Sequence, residues 1–299
     1  MYTKNGGWKS VSGTVLGVMK QTINGFFFLS MFLHGLCFVV ILKIVGAFDP
    51  DKIMLDWHSN IGCDFEILSD WPRVYPNKPF VVKNTSLNRE FRNRMNLSSI
   101  LNLYGERTVG VDYPGTRSPP TRSWKSMKFK DFVQTYVNHN KGPAEIVKSS
   151  DKNFYLWGLT DHCETFNMEN CKENNFTLLP QEVVESFQCF EKNVSKYIGL
   201  NGPYKGINYH SHPHVSNEVV FGSRMWIIRR PKSKFEQNGA TASTTVFRMI
   251  TAPSERYSTA NTYFCKTGPG DVIYIPNYWL HMTYNLEPTM TIACNLNHN

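Results

Sequence analysis

Three histidines in this chain are spaced so that they could hold one metal ion. His210 and His212 stand two residues apart. Alternate residues of a strand share a face, so both imidazoles can turn toward the same point. His281, from a distant strand, could complete a facial set of three nitrogens and leave coordination positions open for a ligand or for oxygen. Imidazole suits zinc, copper, nickel and iron alike, so the donors do not name the metal. The alternative is that His210, His212 and His214 are surface histidines on a polar loop, because pairs at this spacing are common.

The segment carrying the third histidine favours the metal. It reads Gly270-Asp271-Val272-Ile273-Tyr274-Ile275-Pro276-Asn277-Tyr278-Trp279-Leu280-His281. A glycine turn opens an alternating strand, and Pro276, which cannot donate to a ladder, closes it. Asn285 follows at the end of the next short strand. This spacing resembles that of small β-barrels of the cupin type, G-x5-P-x-G-x2-H-x3-N. Gly270, Pro276, His281 and Asn285 are in register, and Tyr278 departs where cupins have glycine.

The elements that must position these residues change character along the chain. Before residue 204 the pattern mixes helices at 87–104, 127–137 and 182–190 with short strands at 78–82, 108–111 and 154–159. After it come short stretches punctuated by glycine, proline and asparagine. The pattern predicts strands at 206–212, 217–221, 224–229, 244–249, 263–266, 271–275 and 289–295. Helices first and a barrel after is an α+β arrangement, a cupin or jelly-roll barrel with N-terminal helices. Trp226, Trp279 and Tyr274 read as side chains that fill the barrel.

The net charge of +8 suggests nucleic acid until it is divided. Residues 1–47 hold four lysines and no acid, which leaves 28 basic against 24 acidic residues in the remainder. Arg229, Arg230, Lys232 and Lys234 make a local basic cluster without an aromatic platform, so nucleic acid is not expected as a partner. Residues 26–42 carry no charge, and Ile23 extends the run to about twenty residues, enough for a membrane-spanning helix. Lysines precede it and Asp49 and Asp51 follow. This predicts a cytoplasmic tail (1–22), a single-span signal-anchor (23–47) and a translocated domain (48–299). Val45-Gly46-Ala47 leaves a long cleaved signal peptide as the alternative.

Six cysteines lie beyond that run, an even number that fits an oxidising lumen. Cys163 and Cys171 flank a short polar segment and are the first candidate pair, although connectivity among six is not readable from spacing. Acceptor sequons for N-glycosylation stand at Asn84, Asn96, Asn175 and Asn193.

Gly206-Ile207-Asn208-Tyr209-His210-Ser211-His212, then 217–226, then 270–281 together resemble a Jumonji-C (JmjC) domain. The similarity is greatest to the membrane-associated, endoplasmic-reticulum branch of that superfamily. Lys78-Pro79-Phe80-Val81-Val82 is similar to its N-terminal strand, and Cys265 and Asn285-Leu286 also match. The resemblance implies a double-stranded β-helix binding Fe(II) and 2-oxoglutarate, and an oxygenase that hydroxylates or demethylates a protein. It also implies an endoplasmic-reticulum membrane protein of type II whose C-terminal domain is luminal. The metal triad implied is His-x-Asp/Glu plus a distal His. His210 and His281 match it, while His212 stands where the carboxylate belongs, which should weaken Fe(II) retention. Glu218 is the nearest downstream acid but belongs to the next strand. The family's 2-oxoglutarate anchor is commonly a lysine, and Arg224 occupies its place with a fork that can grip a carboxylate. Asn217 falls where relatives offer a polar contact to the same co-substrate. The other readings are a surface cation at 224 and a turn residue at 217. The missing carboxylate leaves a second function open, a catalytically inactive JmjC-fold adaptor of the secretory pathway that binds a protein partner.

Overall fold

Two β-sheets wound around one another carry the site. The computed structural model describes residues 49–112, 124–148, 156–159, 183, 186–192, 194–231, 241–251 and 262–296. The candidate span 23–47, Cys163, Cys171, Asn175 and Asn193 lie outside them. No helix among the described residues is long and apolar enough to cross a membrane. The fold below belongs to one unit, Pro50–Asn299.

The chain runs through α1 (Pro50–Asn60), β1 (Glu66–Leu68), β2 (Phe80–Val82), α2 (Arg89–Arg94), α3 (Leu97–Tyr104), β3 (Thr108–Asp112) and β4 (Trp124–Lys128). Next come α4 (Phe129–Phe132), a π-helical turn (Val133–Val137), α5 (Pro143–Lys148), β5 (Leu156–Leu159) and β6 (Val194–Asn201). It closes with β7 (Val215–Phe221), β8 (Arg224–Arg229), α6 (Ala242–Thr251), β9 (Thr262–Thr267), β10 (Val272–Ile275), β11 (Leu280–Asn285) and β12 (Thr289–Leu296).

The larger sheet has the order β1-β2-β10-β7-β12-β6-β5 and the smaller β11-β8-β9. The segment 205–212 extends the smaller sheet, since Thr283 N donates to Ile207 O and Asn285 N to Lys205 O. From β6 onward the chain therefore crosses repeatedly between the sheets, which is the winding of a double-stranded β-helix, or jelly roll. Gly206 permits the approach of 205–212 to β11, because a Cβ there would lie 2.0 Å from Thr283 O. Gly222, at φ +79°, makes the tight turn that brings Arg224 into register.

Alternation decides which side chains face the barrel. Val215, Trp226, Ile228, Cys265, Ile273, Ile275 and Ala293 pack together inside it. Met225, Ile227, Met282 and Tyr284 face outward beneath Met54 of α1 and Ala242, Val246 and Met249 of α6. The outer face of the larger sheet, with Ile198, Leu200, Val220 and Ile292, is covered by Phe91, Ile100, Phe129 and Phe132.

Some expected elements differ. Residues 244–249 form part of α6 rather than a strand. Threonine and valine favour strand, but Ala242, Val246 and Met249 recur at helical spacing and bury against the small sheet, and burial outweighs propensity. The helix expected at 127–137 starts only at Phe129, after β4. That expected at 87–104 is two helices, the second capped by Asn96, whose side chain accepts from Ser99 N at 2.9 Å. Tyr274 does not fill the barrel. It lies on the outer face against Phe80 and Trp71.

Among the described residues two disulfides are formed. Cys63–Cys265 ties the stretch after α1 to β9, and Cys189–Cys294 ties the approach to β6 to β12. Both engage cysteines the sequence left unassigned. Asn84 and Asn96 are exposed.

Candidate metal centre

His210 and His281 face each other across a narrow backbone pair, each amide donating to the other's carbonyl at 2.9 Å. His212 is tied to the same place, because Tyr278 N donates to His212 O at 2.9 Å. The turn between β10 and β11 thus positions two of the three histidines, the second being His281 at the start of β11.

Each imidazole is oriented by a backbone carbonyl. Nδ1 of His210 meets Asn208 O at 2.8 Å, that of His212 meets Pro213 O at 2.6 Å, and that of His281 meets Trp279 O at 2.8 Å. A carbonyl oxygen only accepts, so each Nδ1 carries its proton and the lone pair of each neutral ring is on Nε2. The ligating nitrogens of the three residues lie within 4.8 Å of one another. Nε2 of His212 and Nε2 of His281 are 3.2 Å apart. Two lone pairs at that distance repel unless a cation sits between them, and this donor set fits a divalent transition-metal ion. Burial, followed by the fields of His210 and His212, holds His281 well below the usual imidazole pKa. Burial also lowers that of His212, against the pull of the Pro213 carbonyl. Neutral imidazole is the form that ligates a metal.

His214 is outside the set. Its amide donates to Asn277 Oδ1 at 2.7 Å, and its ring packs near Tyr75 and Tyr274. Glu218 is also excluded. It points from the outer face of β7, where it pairs with Arg92 and accepts from Asn88 Nδ2 at 2.7 Å. Burial raises its pKa despite those partners. The cluster consists of imidazoles alone.

Arg224 is not a surface cation, and among the described residues it is not paired with an acid. It is 2% exposed, donating from Nε to Asn285 Oδ1 at 2.8 Å and from Nη1 to Thr291 Oγ1 at 3.1 Å. Burial alone moves its pKa, down to about 9, so the guanidinium is still charged at neutral pH. No carboxylate among the described residues neutralises it. Asn217 faces inward on β7, is buried, and its Oδ1 has no hydrogen-bond partner among the described residues. It is therefore a strand residue and not a turn. The sequence reading gives Thr291 no role, although strict alternation along β12 with Ala293 would have placed it inside.

A jelly-roll barrel enclosing histidine donors and an uncompensated cation has the makings of a cupin-type ligand site. No family model matches the chain. The chain is 22% identical over 222 residues to mouse JmjC domain-containing protein 8, covering 72% of this chain and 73% of that protein. The human protein of the same name is 23% identical over 219 residues, covering 72% and 75%. These relatives support a JmjC domain protein. Among solved structures, YcfD, a ribosomal oxygenase from Escherichia coli in complex with cobalt and succinic acid, aligns at a TM-score of 0.35 and 14% identity. That alignment covers 74% of this chain and about half of YcfD, 48%.

Proposed function

We propose that the domain is a JmjC-type oxygenase, dependent on Fe(II) and 2-oxoglutarate, that hydroxylates a protein side chain. His210, His212 and His281 hold the metal, while Arg224 and Asn217 hold the co-substrate. The observation that carries this reading is the set of three imidazoles fixed by backbone carbonyls with their ligating nitrogens within 4.8 Å. Iron and 2-oxoglutarate, when bound, supply oxygen activation. The protein's residues orient the donors, keep them neutral and present a buried cation to a carboxylate. We place the domain in the endoplasmic-reticulum lumen behind a single span at 23–47. Two disulfides among the described residues and exposed sequon asparagines at 84 and 96 support an oxidising, glycosylating compartment.

One observation favours a second reading. His212 stands where the family's triad has a carboxylate, so the donor set leaves the charge of a divalent ion unneutralised. On that reading the barrel is an inactive adaptor that binds a protein partner. Metal analysis of the purified full-length chain, joined to a 2-oxoglutarate consumption assay with added Fe(II), separates the two. Stoichiometric metal with consumption supports the oxygenase. A chain that takes up no metal and consumes nothing supports the adaptor. Protease treatment of intact microsomes should trim only the tail before Ile23, and digestion of 48–299 there would refute the luminal placement.

A further inference from the structure

Glu191 is an acid that the fold buries and only half satisfies. The residue is 8% exposed, and its Oε1 has no hydrogen-bond partner among the described residues. Its Oε2 accepts from Ser216 Oγ at 2.9 Å. Burial raises the Glu191 pKa despite that bond. A buried acid left in this condition is costly, and in a native chain it calls for an explanation.

What stands beside it is a disulfide. Ser216 of β7 faces Cys294 of β12 in register, and on its other side Cys294 faces Lys196 of β6. Ala293 takes the inward position, while Cys294 and Lys196 pack with Phe187 on the outer face. Such cross-strand neighbours have Cβ atoms about 5 Å apart. Cys294 is bonded to Cys189, two residues before Glu191. Cys294 is 5% exposed, whereas Cys189 is only half-buried. A cavity of about 10 Å³ bordered by Cys189, Cys294, Ser216 and Glu218 leaves sulfur and hydroxyl room to shift.

An external thiolate opens a disulfide when the departing sulfur is accommodated. A thiolate at Cys294 would be buried, and burial alone disfavours it. Here it meets the Lys196 ammonium from one strand and, through Ser216, a carboxyl group from the other. The half-exposed partner, Cys189, is the sulfur open to attack.

We propose that Cys189–Cys294 is a redox-active disulfide that exchanges with external thiols, with Glu191 supplying and recovering the proton. The thiolate attacks Cys189 Sγ, a mixed disulfide forms there, and the bond to Cys294 Sγ breaks. Cys294 keeps the electron pair and is protonated by the Ser216 hydroxyl, which takes the Glu191 proton in exchange. A second thiolate attacks the external sulfur of the mixed disulfide, so the two thiols leave as a disulfide and Cys189 is released as a thiolate. Two electrons pass to the cysteines, and in the reverse direction the Glu191 carboxylate takes the Cys294 proton back. The assignment is independent of metal and co-substrate.

The test uses the full-length oxidised chain with reduced glutathione as the probe. Exchange is stopped with acid, free thiols are alkylated, and each disulfide is followed by mass spectrometry of its peptides. Cys63–Cys265 is the internal reference. Cys189–Cys294 should open faster than the reference by about tenfold or more. Glu191→Gln should slow that opening by about tenfold or more and leave the reference unchanged. Other titratable groups around Glu191 are Lys196, the Glu218–Arg92 pair, and Tyr274 of β10, which burial and then the Glu191 charge push up to about 12. The variant leaves all of them in place. The wild-type rate, divided by the thiolate fraction of glutathione, should fall as the pH rises from about 5 to about 8, because the acid form of Glu191 is consumed. In Glu191→Gln the same profile should be flat. A merely structural acid gives the opposite response, since its loss loosens the segment and speeds reduction. Equal or faster opening in Glu191→Gln, a flat wild-type profile, or opening no faster than that of Cys63–Cys265 would overturn the assignment.

Discussion

Asn217 and Glu218 are neighbours on β7, and the strand sends them to opposite sides of the same sheet. Outside, Glu218 is buried, yet it is paired with Arg92 and bonded by Asn88, whose side chain also holds the Gln188 backbone at both ends. Inside, Asn217 is equally buried and its Oδ1 has no partner, and Arg224 across the barrel has hydroxyl and amide partners but no anion, both among the described residues. A buried charge that serves the fold comes with its counter-charge, because desolvation is otherwise too costly. A buried charge without one marks a place where something else supplies it. On this contrast the outer side of the sheet around Glu218 is architecture, and the inner side holds the groups that the proposed ligand site would use.

The largest effect tests the inner side directly. His281→Ala or His210→Ala should each lower metal affinity by at least about 100-fold, because ligand loss exceeds the effect of losing an outer-shell partner. Circular dichroism and the denaturation midpoint should remain those of a folded domain. His212→Asp should act in the opposite direction and tighten Fe(II) binding by restoring a negative donor. If His281→Ala unfolds the protein instead, the cluster belongs to the architecture and the contrast fails.

The next effect compares the two charges. Glu218→Ala leaves the partly buried Arg92 without its carboxylate and should cost about 3 kcal/mol in urea denaturation, with metal binding unchanged. Arg224→Met removes a charge that no described acid neutralises. Its lost bonds to Asn285 and Thr291 are offset by relief of desolvation, so stability should change by no more than about 1 kcal/mol while 2-oxoglutarate binding disappears. Equal losses at 218 and 224 would erase the distinction between the two sides.

Much of the inner side was legible in the sequence. The His-x-His pair and the segment from Gly270 to Asn285 have spacing that follows from strand alternation and from one proline-closed turn, so they survive reading without coordinates. The outer layer was less legible because its evidence is tertiary. Arg92 meets Glu218 from a helix far upstream, Cys63 meets Cys265 across nearly the whole unit, and α6 is helical only because the small sheet has an apolar back to cover. Trp226 fills the barrel as its ring announces. Its Nε1, which has no hydrogen-bond partner among the described residues, is a detail that ring size does not predict.

Acid sharpens the comparison within the outer layer. His58 of α1 is buried against Tyr204 and Tyr284, and burial, helped by Lys266, moves its pKa down from 6.5 to about 4. The folded state then refuses a proton that the unfolded chain accepts below 6.5. Its contribution to stability is intact above 6.5 and is lost as the pH falls toward 4. For the metal-free protein that share is at most about 3 kcal/mol at pH 4. Denaturation of His58→Phe and wild type across this range should show the variant losing less. Parallel curves would mean that His58 takes up its proton without cost.

The smallest effect lies at the rim, where the two sides meet. Tyr278 occupies the position at which the cupin spacing has glycine, and it adopts φ +60° with its side chain 58% exposed. Its amide bond to His212 O needs that left-handed turn, so the conformation is set by the site and not by the residue. Tyr278→Gly relieves the steric cost but gives the unfolded chain more freedom, and the two should nearly cancel, leaving a change within about 0.5 kcal/mol. Tyr278→Val puts a β-branched side chain into the same turn and should cost at least about 1 kcal/mol, with some loss of metal affinity because His212 and His281 both hang from it. If valine is tolerated as well as glycine, the turn relaxes without disturbing the histidines, and the donors are less rigidly placed than their backbone bonds imply.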